Sequence, residues 1–160
     1  MQHFSDEQVE AARARFRTHL RERGQRQTPE RFAVLDEVYR TGEHLDADTL
    51  YARLREQNLP VSRATVYNTL DLLVSCGLAA RHQFGQTQAR YERAFSYGQH
   101  DHLICLDCGE IYEFCDPRLR ETETMIGDIY GFQIAQHALT LYGHCGRTPC
   151  PHRVPDVFTA

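Results

Sequence analysis

The sequence contains no lysine, so all 18 of its basic residues are arginines, which we attribute to codon bias. It also contains no run of 18 or more apolar residues, which argues against a membrane-spanning helix. Residues 1–7 provide neither a basic nor an apolar segment, which argues against a secretory signal. We therefore expect a cytoplasmic protein without a membrane partner.

The arginines are distributed unevenly. Residues 1–90 carry 13 arginines against 12 carboxylates, whereas residues 91–160 carry 5 arginines against 10 carboxylates. Seven arginines, among them Arg26 and Arg31, stand against two glutamates between residues 13 and 31. This charge suits contact with phosphate, although on charge alone a solvated helix face explains it equally well.

Four cysteines occur as two pairs, Cys105 with Cys108 and Cys145 with Cys150. Four thiolates at such spacing are typical of a closed tetrahedral zinc site, with Zn–S distances of about 2.3 Å. Two disulfides are the alternative, but a cytoplasmic protein and the CxxCG spacing favour zinc. The residues His100, Asp101 and His102 precede the first pair. Imidazole and carboxylate groups there suggest a second metal site, and with it a metal sensor.

Capping residues and apolar spacing predict four helices in the first half. Ser5, Thr28, Asp46 and Ser62 each stand where a helix would begin, and Gly24 and Gly77 stand where the first and last would end. The predicted spans are 6–23, 29–40, 47–57 and 63–76.

After Gly77 the apolar period becomes two, which predicts strands at 78–82 and 89–93 around a turn at 85–87. Helices followed by such a hairpin are typical of a winged helix-turn-helix, with the fourth helix as the recognition helix. An ordinary surface helix is the alternative. The first turns of this helix carry side chains able to reach bases and phosphates: Arg63, Ala64, Thr65, Tyr67 and Asn68.

The second half predicts a small α/β unit. We expect a hinge at 94–99, strands at 102–106 and 111–114, a helix at 117–130 and a long strand at 132–142. Because about 60 residues make a small core, zinc and a second copy of the chain are expected to stabilise it. The predicted class is α+β, with a winged-helix DNA-binding domain at 1–93 and an α/β dimerisation and metal-binding domain at 100–160.

Three segments together resemble the ferric uptake regulator (Fur) family: residues 63–70, residues 100–109 and residues 141–145. The resemblance runs from about residue 10 to about residue 150. It implies a homodimeric, metal-dependent repressor that binds double-stranded operator DNA, with higher oligomers left open. It also implies structural Zn²⁺ on the four paired cysteines.

The resemblance further implies a regulatory metal site shared by the two domains. Its ligand positions fall on His44, Glu92, His100, His102 and Glu113. Three imidazoles and two carboxylates without a thiolate suit Fe²⁺ or Mn²⁺ and tolerate Zn²⁺.

A third metal site, found in some members, is matched by Asp101 and His137. Gln99 stands where a histidine is usual, and the helix carboxylate falls on Arg120, with Glu121 beside it.

Iron sensing is the interpretation we favour within the family. Its peroxide-sensing branch uses aspartates at the positions of Glu92 and Glu113, and its zinc-uptake branch brings a cysteine to the regulatory site. Manganese and nickel sensing stay open. Outside the family, a zinc hydrolase would need a catalytic motif such as HExxH, which the sequence lacks, and an interaction module that never binds DNA is a third alternative.

Overall fold

The computed structural model describes residues 5–41, 44–83, 88–94, 100–147 and 150. The chain divides into two compact units, Met1–Tyr97 and Gly98–Ala160, called here the first and the second unit. The predicted wing turn at 85–87 and nearly all of the predicted hinge lie outside the described residues.

Four helices make up most of the first unit. They are α1 (Asp6–Glu22), α2 (Pro29–Thr41), α3 (Ala47–Glu56) and α4 (Arg63–Ser75). Side-chain oxygens of Ser5, Asp46 and Ser62 accept backbone N–H groups in the first turns of α1, α3 and α4. Pro29 starts α2, where its missing N–H leaves no hydrogen bond unmade. These local signals predict the helices correctly.

A two-stranded antiparallel hairpin completes the first unit. Its strands are β1 (Ala79–His82) and β2 (Arg90–Arg93), with Ala80 opposite Glu92. Leu45 and Tyr91 exchange both backbone hydrogen bonds, at 3.0 and 2.8 Å, which joins the α2–α3 connection to β2. The first unit is therefore a winged helix-turn-helix, as the sequence predicts.

The core of the first unit lies between the helices and the hairpin. Side chains with no exposed surface come from the four helices and from the residue just before β1, among them Phe16, Leu20, Val34, Leu35, Leu54, Val66, Leu70, Leu73 and Leu78. Burial of each such side chain contributes about 1.5–3 kcal/mol. The Tyr39 hydroxyl donates a hydrogen bond of 2.9 Å to the Leu78 carbonyl, which connects α2 to the wing.

The second unit is a three-stranded sheet with one helix. Its elements are β3 (Asp101–Cys105), β4 (Ile111–Phe114), α5 (Pro117–Tyr130) and β5 (Thr140–Gly143). Strand β3 is central: β4 pairs with it antiparallel, and β5 pairs with it in parallel after the α5 crossover. Gly131 ends α5 with a φ of 71°, a left-handed conformation that favours glycine.

The long strand predicted at 132–142 is wrong in extent, because only Thr140–Gly143 forms a strand. These four residues pair with His102–Cys105, which uses all but one residue of β3. Phe132 and Ile134, which sequence alternation assigns to the strand, are instead exposed side chains after α5. None of the described helices is long and apolar enough to span a lipid bilayer.

Candidate functional site

The paired cysteines come together at one end of the three-stranded sheet. Cys105 ends β3 opposite Gly143 of β5, so the parallel pairing brings the second cysteine pair to the first. Sulfur atoms of Cys105, Cys145 and Cys150 all lie within 4.8 Å of one another, and Cys108 contacts the Cys105 thiol. Four such thiols fit the donor set of a structural zinc ion.

Local backbone geometry favours the thiolate form that binds metal. The backbone N–H of Asp107 lowers the pKa of the Cys105 thiol, and the N–H of Cys108 acts in the same direction. Gly109, at a φ of 75°, donates its N–H to the Cys105 carbonyl at 2.8 Å and tightens this turn.

Asp107 holds the two cysteine loops together. One carboxylate oxygen accepts the N–H of Cys145 at 2.7 Å, and the other lies 3.0 Å from Nδ1 of His144. This contact raises the pKa of His144. His144 therefore pairs with a carboxylate while its side chain is largely exposed.

In the first unit, two predicted ligands of the regulatory metal are neighbours. Because Leu45 pairs with Tyr91 in antiparallel register, His44 and Glu92 fall side by side. The Nε2 atom of His44 lies 3.2 Å from Oε2 of Glu92, and both side chains are only 8% exposed. A buried carboxylate beside a buried imidazole is a donor pair suited to a divalent metal.

In the second unit, the other three predicted ligands also cluster. His102 of β3 lies opposite Glu113 of β4, and Nε2 of His100 is 4.0 Å from Oε1 of Glu113. The rings of His100 and His102 are 4.9 Å apart between centroids. These two imidazoles and one carboxylate form the second unit's own donor group.

The predicted third site is only partly assembled as expected. Nε2 of His137 lies 3.0 Å from Asp101, a buried residue whose carboxylate also accepts the N–H of Leu139 at 3.1 Å. The helix carboxylate that contacts His137 is that of Glu123, whereas Glu121 is exposed. The sequence pattern pointed to residues 120 and 121, less than one turn earlier on α5, and it did not identify Glu123.

The recognition helix α4 presents most of its predicted DNA-contacting side chains to solvent. Arg63, Ala64, Tyr67 and Asn68 are exposed, and Thr65 is half-buried. Arg63 forms an ion pair with Asp48 of α3, and its guanidinium stacks 4.8 Å from the centre of the Tyr51 ring. These contacts hold the guanidinium at the start of α4.

Arg31, for which the sequence predicts contact with phosphate, lies in the first turn of α2 and is held against the preceding loop. Its guanidinium donates to the carbonyl of Arg26 at 2.7 Å and to the side chain of Gln25 at 3.0 Å. Arg26 itself is exposed.

The structure shows a contact of His82 with Glu92 that the sequence did not indicate. His82 is not among the ligands expected from the sequence, but its Nε2 atom lies 2.6 Å from Oε1 of Glu92 and its side chain is only 25% exposed. The hairpin register, with Ala80 opposite Glu92, puts His82 and Glu92 on one face, and the sequence alone does not give this register.

Comparison with known proteins places this architecture in a family. Residues 22–142 match the model of the ferric uptake regulator family. The ferric uptake regulation protein of Cupriavidus metallidurans is 37% identical over 137 residues, which cover 84% of this chain and 94% of that protein.

Two solved structures are similar to the chain. The Helicobacter pylori ferric uptake regulator, described as having three functional metal-binding sites, is 26% identical with a TM-score of 0.80, covering 91% of this chain and 95% of that one. The Pseudomonas aeruginosa regulator, solved with manganese, is 32% identical with a TM-score of 0.71, covering 82% and 98%.

A winged helix joined to a small α/β unit rich in metal-binding side chains defines a metal-responsive DNA-binding regulator. The chain belongs to the ferric uptake regulator family. Because members of this family regulate transcription and are not enzymes, the zinc hydrolase hypothesis is set aside.

Proposed function

We propose that the chain is a repressor that binds operator DNA as a homodimer when Fe²⁺ occupies a regulatory site with ligands from both units. The observation that supports this proposal is that the expected ligands within each unit lie next to one another. His44 and Glu92 are neighbours in the first unit, and His100, His102 and Glu113 are neighbours in the second.

The donor chemistry supports a borderline or hard divalent metal. Imidazole and carboxylate donors without a thiolate suit Fe²⁺ and Mn²⁺, and they also accept Zn²⁺. The bound metal supplies positive charge that both groups of ligands share. Each ligand must be deprotonated to bind, so binding is expected to weaken at acidic pH.

The two metal sites are expected to have different roles. Four thiolates on two loops make a closed zinc site that stabilises the second unit. The regulatory ligands, by contrast, come from both units. Metal binding at this site therefore favours the DNA-binding arrangement of the units to the extent that the metal binds that arrangement more tightly than others.

Operator recognition is assigned to α4. In the dimer, two copies of this helix would read major grooves about one helical turn, or a multiple of it, apart. Tyr67 and Asn68 reach base edges, Ala64 and Thr65 contact thymine methyl groups, and Arg63 contacts phosphate or guanine. Arg26 and Arg31 supply further phosphate contacts.

A third metal site is proposed with a different carboxylate from the one the sequence suggested. Asp101, Glu123 and His137 give two carboxylates and one imidazole within the second unit, without Glu121. Substitution Glu123→Gln should remove one metal equivalent that Glu121→Gln leaves in place, measured by metal analysis after dialysis against Mn²⁺.

A matched pair of glutamates near β4 tests the regulatory site. Glu113→Gln should weaken Mn²⁺-dependent binding to a duplex selected on the wild-type protein by at least about tenfold, since a ligand is lost. Glu110→Gln, three residues earlier, should bind like the wild type. Fluorescence anisotropy of the labelled duplex measures both, with zinc content confirming the fold. Equal Mn²⁺ dependence in the two variants would contradict the assignment.

The same assay compares metals on the wild-type protein. In anaerobic titrations with Fe²⁺, Mn²⁺, Zn²⁺ and Ni²⁺, operator binding should be tightest with Fe²⁺. This response should occur near the free intracellular concentration of Fe²⁺. A response confined to Zn²⁺ or Ni²⁺ would assign a different sensor of the same family.

A further inference from the structure

The regulatory donor group in the first unit has a neighbour that the proposed ligand set does not use. His82 ends β1, and the hairpin register places Ala80 opposite Glu92. Side chains two residues apart on a strand point to the same face, so His82 and Glu92 share one face of the hairpin. The strand register of the hairpin therefore brings His82 and Glu92 together.

The two oxygens of Glu92 have different partners. Oε1 lies 2.6 Å from Nε2 of His82, whereas Oε2 lies 3.2 Å from Nε2 of His44. The rings of His44 and His82 stand 6.0 Å apart between centroids, one on each side of the carboxylate. A carboxylate held at both oxygens cannot rotate without breaking one of these contacts.

The burial of Glu92 increases the energetic importance of its two contacts. Its side chain is 8% exposed, so water offers little substitute for a missing hydrogen bond. An N–H of His82 that donates to Oε1 leaves Oε2 directed toward His44, where a metal would need it.

We propose that His82 is a positioning residue for the regulatory metal: its Nε2–H fixes the carboxylate of Glu92 so that Oε2 and His44 are presented together. The inference rests on the proposed function, because Glu92 and His44 must be ligands for it to apply. Hydrogen-bonded partners of metal ligands typically change metal affinity 10- to 100-fold when removed. A residue of the wing strand β1 thus influences the affinity of the regulatory site for its metal.

Metal binding by the full-length protein with its zinc retained tests the proposal. His82→Ala should weaken Mn²⁺ binding at the regulatory site about 10- to 100-fold, measured by competition with a chelating dye. His82→Gln keeps an N–H donor and should recover most of that loss. His19→Ala is the matched control, because His19 lies in the same unit with its Nε2 atom 2.9 Å from the Ser75 hydroxyl.

The visible absorption of bound Co²⁺ separates positioning from ligation. At saturating Co²⁺, His82→Ala should keep the ligand-field bands of the wild type, because the ligands are unchanged, whereas His44→Ala should alter them. If His82→Ala changes these bands as His44→Ala does, His82 is a ligand and the positioning role is overturned.

The remaining outcomes distinguish the inference from the proposed function. If His44→Ala and Glu92→Ala lose Mn²⁺ affinity while His82→Ala binds like the wild type, only the role of His82 is refuted. If His44→Ala and Glu92→Ala also bind Mn²⁺ normally, the proposed regulatory site itself is refuted, and the inference with it. Zinc content and far-ultraviolet circular dichroism identify any variant that fails to fold.

Discussion

The thiol cluster depends on individual side chains outside the cysteines. Asp107 accepts the backbone N–H of Cys145 and contacts His144, so one carboxylate connects the two cysteine loops. Leu106 donates its N–H to Gly143 at 2.8 Å, which adds a backbone connection at the same place. The loops are thereby held near each other by more than the metal alone.

Loss of one thiol from the cluster should remove zinc and unfold the second unit. Cys105→Ser should lower the zinc content from about one ion per chain to near zero. Structural zinc contributes about 10–16 kcal/mol in zinc-finger peptides, which is comparable to the whole stability of a small domain. Metal analysis and size-exclusion chromatography measure the effect.

Cys115→Ser is the control for that experiment, because Cys115 is exposed and follows β4, outside the cluster. It should retain both zinc and oligomeric state. A Cys105→Ser protein that remains a folded dimer without zinc would contradict the structural role of the site.

At the scale of elements, α5 is packed closely against the chain that follows it. The Phe132 N–H donates to the Gly127 carbonyl at 2.9 Å as the chain turns at Gly131. A Cβ added to Gly127 would lie 2.6 Å from the Phe132 carbonyl oxygen, a distance that real contacts do not reach. Glycine is therefore required inside this helix by the return of the chain.

Gly127→Ala tests this packing. Alanine ordinarily stabilises a helix by up to about 1 kcal/mol over glycine, but the clash with backbone should outweigh this and destabilise the second unit by about 1–3 kcal/mol. Urea unfolding of the zinc-loaded protein measures the change. Gly146→Ala, where nothing lies within 4 Å of the added carbon, should be near neutral. A Gly127→Ala protein more stable than the wild type would refute the packing argument.

The elements differ in how far the sequence could predict them. Helices α1 to α4 depend on caps and apolar spacing within each segment, so the sequence located them well. The strand predicted at 132–142 is shorter because its length is set by β3, whose paired residues, such as His102 opposite Thr140, lie 38 positions earlier in the chain. The alternation of apolar residues in a sequence does not indicate how many residues of a strand will pair with a neighbouring strand.

The same reasoning applies to the metal-binding side chains. The two cysteine pairs and the His100–His102 group stand out because their members are near in sequence. The contact of His82 with Glu92 depends on the hairpin register, and the contact of Glu123 with His137 depends on the rotation of α5. Neither follows from sequence spacing alone.

At the scale of the whole molecule, the two units bury apolar surface to different degrees. The first unit has a continuous core, whereas the described part of the second exposes many large apolar side chains. On α5 and β5 these are Met125, Ile126, Ile129, Tyr130, Leu141 and Tyr142. So much exposed apolar surface is typical of a protein–protein interface, which supports the proposed homodimer.

A charge on this surface should separate the proposed dimer. Ile129 is 66% exposed, and Ile129→Glu would bury a carboxylate in the interface. Sedimentation analysis should show a monomer at micromolar concentration. Arg120→Glu is the control: it also adds a carboxylate, but nine residues at 3.6 per turn place it on the opposite side of α5. If both variants stay dimeric, another surface forms the dimer.

Operator binding by the wild-type protein with and without regulatory metal is the most direct test of the account. Protein that keeps its zinc but has been stripped of regulatory metal should bind the selected duplex no more tightly than a random duplex. Anaerobic addition of Fe²⁺ should then strengthen binding to the selected duplex at least about 100-fold, a coupling of about 2.7 kcal/mol. Equal affinity for the selected duplex before and after addition of Fe²⁺, Mn²⁺, Zn²⁺ or Ni²⁺ would contradict the claim that metal controls recognition.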